Sequence, residues 1–272
     1  MGRPRPFMDL AEELHRTGHE RTPEISHRSC RLSTLRNSCP GCARSSKKRA
    51  RKTNEEKLLS RLKKDLKKHR THSGNRIQSP FHMYIIIDCE TTGLPKDWRA
   101  PVSDLDNWPR MIQIAWARFD KESRPVESRC FLVRPEGFTI PQEARSVHGI
   151  STERAMTEGK PLDTALSEFA DAVGKSEVIV AHNLRFDESV ISAEFLRLNL
   201  VPPFGNKKRI CTMTGTAELC RLPGQYGYKW PSLSELHRFL FGTGYQEAHD
   251  AGADVTACAN CFLELRRRRF LV

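Results

Sequence analysis

Four apolar residues, Tyr84, Ile85, Ile86 and Ile87, run without interruption into Asp88-Cys89-Glu90-Thr91-Thr92-Gly93. A β-branched run of this kind predicts a buried strand with the acids at its C-terminal end. Alternation along a strand sends Asp88 and Glu90 to one face and Cys89 to the other. Residues 111–119 alternate well enough for a second strand and residues 128–133 give a third. Polar links between the three fit an antiparallel meander. Residues 98–110, rich in Pro and Asp, predict an irregular loop. Short helices are expected at 141–147 and 152–156, and a longer one at 161–173 turns Leu162, Leu166, Phe169 and Val173 inward. A buried strand at 178–181 leads to a helix at 187–198 with Val190, Ile191, Phe195 and Leu198 apolar. A fifth strand at 209–213 and helices at 214–220, 232–241 and 250–267 complete the chain. Strands first, then alternating helix and strand, imply an α/β fold: a mixed five-stranded sheet flanked by helices. There is no internal repeat.

Charge divides the chain in two. Its 272 residues carry a net charge of +12, but residues 1–80 hold 21 Lys/Arg against 8 Asp/Glu and residues 81–272 hold 24 against 25. The basicity belongs to an N-terminal extension, residues 1–80, and not to the segment 81–272, which is long enough for its own core. Residues 1–53 contain a single aromatic, Phe7, and such a composition is expected to stay largely disordered. Residues 54–70 predict a basic amphipathic helix: Leu58, Leu59, Leu62 and Leu66 share a face, Asn54 can cap, and Lys67, Lys68 and Arg70 close the last turn. It could dock on a protein partner, such as a polymerase, or lie along phosphates. A solvated helix without a fixed partner is the plainer alternative.

The remaining composition narrows the setting. No run of 18 apolar residues exists, so no membrane span is expected, and the N-terminus lacks the apolar core of a secretory signal. Nine cysteines without a paired framework suit a reducing compartment, with the cytoplasm as the expected location. Cys39-Pro40-Gly41-Cys42, with Cys30 and His27 upstream, is either a zinc knuckle or a pair of unliganded thiols; the gap to His69 is too long for a short finger.

Two carboxylates side by side, Asp88 and Glu90, are costly unless a cation sits between them, and oxygen ligands point to a hard divalent ion. A surface strand ending in solvated acids would read the same way. Two further segments weigh against that. His182-Asn183-Leu184-Arg185-Phe186-Asp187 leaves the fourth strand and delivers a third acid; His249-Asp250-Ala251-Gly252-Ala253-Asp254 supplies a fourth, with a histidine five residues before it. On one continuous helix five residues turn about 500°, which would leave the two side chains roughly 140° apart. They converge only if His249 lies on a loop before the helix and Asp254 inside it. Four carboxylates and a histidine at strand ends and helix starts suit a two-metal phosphodiesterase site, with the histidine as the proton acceptor nearest neutral pH.

Asp-x-Glu-Thr-Thr-Gly, His-Asn-x-x-Phe-Asp and His-x-x-x-x-Asp, in this order, resemble the three exonuclease motifs of the DEDDh superfamily of 3′–5′ exonucleases. The likeness is nearest to proofreading (epsilon) subunits of bacterial DNA polymerase III. Residues 141–150, ending in His148-Gly149-Ile150, resemble the Pro-x-x-Ala-x-x-x-His-Gly-Ile segment of those subunits. The likeness spans about residues 83–265. It implies a ribonuclease H-like fold and hydrolysis of single-stranded 3′ ends to nucleoside 5′-monophosphates, with DNA favoured and RNA trimming as the alternative. It further implies two Mg²⁺ or Mn²⁺ ions held by Asp88, Glu90, Asp187 and Asp254, and His249 as general base. Thr91, Thr92, Gly93 and Leu94 would line the terminal nucleotide, with Asn183 and Phe186 supporting the third acid beside the substrate. The sister subclass would carry Tyr at position 250, where this chain has Asp250. His148 and His182 read as structural. A non-catalytic nucleic-acid-binding protein is the rival of another class; loss of an acid would favour it, and none is lost.

Overall fold

The computed structural model describes residues 83–271. The disorder expected of residues 1–80, the helix expected at 54–70 and the Cys39/Cys42 pair therefore lie outside the described residues.

The uninterrupted isoleucine run becomes a central strand. β1 (Met83–Thr91) pairs antiparallel with β2 (Met111–Asp120), which pairs antiparallel with β3 (Pro125–Leu132). On its other side β1 pairs in parallel with β4 (Val178–Ala181), and β4 with β5 (Lys208–Cys211). The order is β3-β2-β1-β4-β5, the mixed five-stranded sheet implied by the order of elements.

Helices cover both faces, which is why β1 carries no polar residue until its end. α1 (Gln142–His148), α2 (Thr152–Glu158) and α3 (Leu162–Gly174) follow β3, and α4 (Leu184–Arg197) follows β4. A 3₁₀ turn (Thr214–Thr216), α5 (Ala217–Cys220), α6 (Leu233–Phe241) and α7 (Ala251–Arg267) follow β5. Tyr84 and Ile86 pack with Val255, Phe262 and Leu236 on one face, while Ile85, Ile87 and Trp116 pack with Phe169, Val190 and Phe195 on the other. Trp116 stands edge-on to both Phe131 and Phe169, at centroid distances of 5.5 and 5.6 Å; such pairs add roughly 1 kcal/mol each beyond burial.

α7 reaches the sheet closely because its first turn is made of small residues, Ala251, Gly252 and Ala253. A Cβ at Gly252 would sit 3.1 Å from Asp250 Oδ1 and 3.3 Å from Cys130 Sγ, tighter than packed atoms normally tolerate.

Several boundaries differ from expectation. β3 begins at Pro125 and not at 128. α4 begins at Leu184 and not at 187, because Asn183 adopts a left-handed conformation (φ 73°) that turns the chain straight from β4 into the helix. The helix expected at 214–220 is a 3₁₀ turn followed by one α turn. A small hairpin, β6 (Pro223–Gly224) with β7 (Gly227–Tyr228), was not anticipated; strands of two residues carry no periodicity. No helix among the described residues is long and apolar enough to cross a membrane.

Candidate active site

The face assignment of β1 fixes where its acids go. Asp88 and Glu90 continue the Tyr84–Ile86 face, the one covered by α7, so they meet the first turn of that helix. Glu90 lies opposite Gln113 of β2, and the register shifts between Glu90 and Thr91, ending the strand in a bulge.

β4 stops short of β1. The ladder between them is registered only to Ile86↔Val180, leaving the end of β1 without a strand on that side. Asp187, in the first turn of α4, fills the place: its Oδ1 accepts the Cys89 N–H at 3.1 Å. The third acid is thus tied to the backbone between the first two.

The fourth acid arrives as the turn geometry requires. His249 sits on the loop before α7 with φ 66°, Asp250 caps the helix through its side chain, and Asp254 lies inside it. Asp254 Oδ2 accepts the His249 backbone N–H at 3.2 Å. Glu90, His249 and Asp254 each offer a ligand atom within 4.8 Å of the others. Glu90 and Asp254 are each 9 % exposed, whereas His249 is open to solvent. Asp88 and Asp187 stand outside that trio, but their charges belong to the same cluster.

The electrostatics show the strain of this gathering. Burial pushes Glu90 up to about 8, with Asp254, Asp187 and Asp250 adding to the rise. Burial raises Asp187 to about 7 despite its hydrogen bonds to Cys89. Asp88 is held well above the usual carboxylate range by burial and then by Asp187, Asp254 and Glu90. Asp254 is raised by burial, against the pull of Tyr245 and His249. Buried carboxylates that each raise the others are the donor set a hard divalent cation relieves, so the residues fit a metal ion.

The predicted substrate-side residues follow β1 directly. Thr91 Oγ1 donates to the Gly93 carbonyl at 2.6 Å, and Thr92 is doubly tied to Arg110: its N–H donates to the Arg110 carbonyl and its hydroxyl accepts the Arg110 N–H, both at 2.9 Å. Gly93 has φ 146°, a conformation that disfavours a side chain. Leu94 is exposed. Both threonine hydroxyls are therefore engaged in shaping the turn. Asn183 makes no side-chain cap bond, and Phe186 packs on Trp98 with centroids 5.7 Å apart.

The two histidines read as structural, His182 and His148, both make hydrogen bonds within the domain. His182 bridges Thr212 Oγ1 (3.0 Å) and the Pro231 carbonyl (2.9 Å), and burial lowers it to about 4. His148 Nδ1 accepts the Ile150 N–H at 3.0 Å; burial, then the neighbouring His249, lowers it to about 4.

Three side chains at the site escaped the sequence reading. Tyr245 donates to Asp254 Oδ1 at 2.7 Å. Asp250 brings a fifth carboxylate close enough to raise Asp88 and Glu90. Gln113 donates to Asp250 Oδ2 at 3.2 Å and accepts the Ala251 N–H at 3.0 Å, pinning α7 to the sheet. Asp250 was legible as a helix cap ahead of a run of small residues; Tyr245, nine positions from its partner, and Gln113, on another strand, carried no local signal.

The RNase_T family model, described as exonuclease, matches residues 85–262. No curated protein matches the chain. Among solved structures, E. coli exonuclease I in complex with a dT13 oligonucleotide is similar at a TM-score of 0.55 with 21% identity, over 69% of this chain and 42% of that one. The zinc-bound complex of E. coli exonuclease I with single-stranded DNA is similar at 0.55 with 23% identity, over 69% and 41%. The chain spans less than half the length of these structures, and the likeness is one of fold: the mixed sheet and its helices are those of a ribonuclease H-like exonuclease domain.

Proposed function

The chain belongs to the RNase_T exonuclease family, and from that premise we propose that it is a metal-dependent 3′–5′ exonuclease acting on single-stranded ends and releasing nucleoside 5′-monophosphates. The observation that carries this is the meeting of Glu90, His249 and Asp254 within 4.8 Å, where the end of β1 meets the start of α7. Asp88, Glu90, Asp187 and Asp254 would hold two Mg²⁺ or Mn²⁺ ions. Bound there, the ions would supply an activated water and charge neutralisation at the leaving oxygen.

The chain's own residues do the rest. His249, exposed beside the acids, takes the proton of the attacking water. The turn at Thr91–Leu94 offers backbone groups and the open Leu94 side chain to the terminal nucleotide, with Asn183 and Phe186 supporting the third acid at the start of α4. Asp187 keeps the end of β1 fixed through Cys89, and Tyr245 keeps Asp254 aimed inward. DNA is the favoured substrate, in keeping with the oligonucleotide and single-stranded DNA named for the two exonuclease I complexes. RNA is the alternative, since the 2′-OH alone separates the two.

Residues 81–272 form the catalytic domain, and residues 1–80 a basic extension that holds nucleic acid or a protein partner. Kinship with polymerase proofreading subunits rests on motif order and spacing, as does placement in the cytoplasm on cysteine usage.

The test uses purified full-length protein, 5′-labelled DNA and RNA strands, and Mg²⁺, Mn²⁺ or EDTA. A ladder shortening from the 3′ end with either metal and none in EDTA is expected. Intact strands with both metals would overturn the reading, and a preference for RNA would move the substrate without touching the chemistry.

A further inference from the structure

The segment between α5 and α6 is chemically unlike the rest of the domain. Residues 221–230, Arg-Leu-Pro-Gly-Gln-Tyr-Gly-Tyr-Lys-Trp, hold two of the chain's four tyrosines and one of its four tryptophans, with two cations and no acid. They fold into the β6–β7 hairpin, which pairs Pro223 with Tyr228 and Gly224 with Gly227. The hairpin is closed further by the Lys229 N–H donating to the Leu222 carbonyl at 2.9 Å.

This hairpin projects from the surface. Tyr226 is 71% exposed and Tyr228 44%. Exposing this much of two aromatic side chains forgoes burial that either would gain in a core. Arg221, also exposed, forms no ion pair among the described residues. The base of the hairpin is fixed to the site: the Pro231 carbonyl lies 2.9 Å from His182 Nε2, and His182 immediately precedes Asn183 and the start of α4. Lys229 is tied down by Glu235 at 2.9 Å, which steadies the hairpin on α6.

We propose that this hairpin is a stacking platform for single-stranded nucleic acid: Tyr226 and Tyr228 receive the bases that trail the terminal nucleotide, and Arg221 meets a phosphate. Exposed aromatics interleaved with cations suit this partner because every base presents a π-face while the backbone is uniformly anionic. The proposal rests on the nuclease reading for the direction of the strand, but the contact itself needs no hydrolysis.

That separation sets the experiment. The probes are a fluorescein-labelled dT12 and a 12-residue abasic strand with the same phosphates, and binding to full-length protein is followed by anisotropy in EDTA. The wild type is expected to bind dT12 at least about tenfold more tightly than the abasic strand, given the usual worth of one or two stacked bases. Y226S/Y228S is expected to lose that discrimination and Y226F/Y228F to keep it, since a phenyl ring still stacks. Equal binding of both strands by the wild type would overturn the platform without any variant having to fold. Discrimination that survives in Y226S/Y228S would place the stacking elsewhere, and equally overturn it. Failure of the nuclease reading is seen separately, as absence of metal-dependent cleavage by the wild type.

Discussion

At the scale of single residues, the acids are set against one another until a cation arrives. Glu90 moves from an ordinary 4.5 to about 8 and Asp187 from 3.8 to about 7. Both shifts are upward, so the folded protein retains protons that the unfolded chain has already released. Their contribution to stability is therefore fully present below about pH 4 and is lost as pH climbs through 7 to 8. In EDTA the melting temperature should drop between pH 5 and pH 8, and added Mn²⁺ should flatten the drop by favouring the ionised form; a melting temperature flat with pH in EDTA would contradict the clustering. Asp88→Asn should abolish hydrolysis yet melt higher than wild type in EDTA at pH 8, because the neutral amide escapes the repulsion of Asp187, Asp254 and Glu90. His249 stands apart because it is open to water. His249→Ala should lower kcat by about 10²–10⁴ with little change in metal affinity; near-normal turnover would hand the proton to another group. Asp88, Glu90, Asp187, Asp254 and His249 were legible as a group because each sits at a strand end or beside a helix start, where local chemistry dictates position. Tyr245 was not, since its role depends on a loop folding back onto α7.

At the scale of elements, the segment 98–110 shows where pattern reading stops. Its Pro- and Asp-rich composition predicts an irregular loop, and it has no strand or helix. It is nonetheless built: Asn107 bonds Asp97 at both backbone N–H and carbonyl, the Trp108 indole donates to the Pro101 carbonyl at 3.1 Å, and Arg197 donates to the carbonyls of Leu105 and Trp108 at 2.7 Å. The anchor is Glu194 of α4, fully buried, which accepts from Arg110 (3.0 Å) and the Met111 N–H (2.8 Å) and forms an ion pair with Arg197 (3.1 Å). A glutamate within an amphipathic helix reads as solvent-facing, so this junction was invisible in sequence; α4 instead buries Asp187, Ser189, Ser192 and Glu194 along with its apolar residues. Glu194→Ala would leave Arg110 and a backbone N–H without their acceptor and Arg197 without its counter-charge. It should cost about 3 kcal/mol or more of stability, read by denaturant unfolding, whereas a surface acid such as Glu143 should cost almost nothing on the same measurement.

At the scale of the whole molecule, the positive charge is separated from the chemistry. The extension carries the excess of cations and the domain from residue 81 onward is nearly balanced. A domain without excess positive charge holds an anionic strand through its metals and local contacts, and a Lys/Arg-rich segment adds phosphate contacts that release counterions. Deleting residues 1–80 should raise KM at low salt and flatten its salt dependence while kcat stays nearly constant. An unchanged salt slope would turn attention to a protein partner for the leucine face expected at 54–70. The antiparallel meander and the mixed character of the sheet were legible at this scale, because β1 and β4 are apolar runs and β1, β2 and β3 follow one another in the chain; the β6–β7 hairpin was not, because its pairing is two residues long.

The double tie between Thr92 and Arg110 has a consequence for how this domain can diversify. Two hydrogen bonds of 2.9 Å close the chain on itself just beyond the acids of β1 and just before β2 resumes. Everything between is a cassette hung from a fixed clasp. Changes of length or composition inside it are absorbed outboard of the clasp, whereas a single residue added inboard would slip β1 against β2 and turn Asp88 and Glu90 to the wrong side of the sheet. The segment can thus be remodelled while Asp88 and Glu90 stay in register with β2.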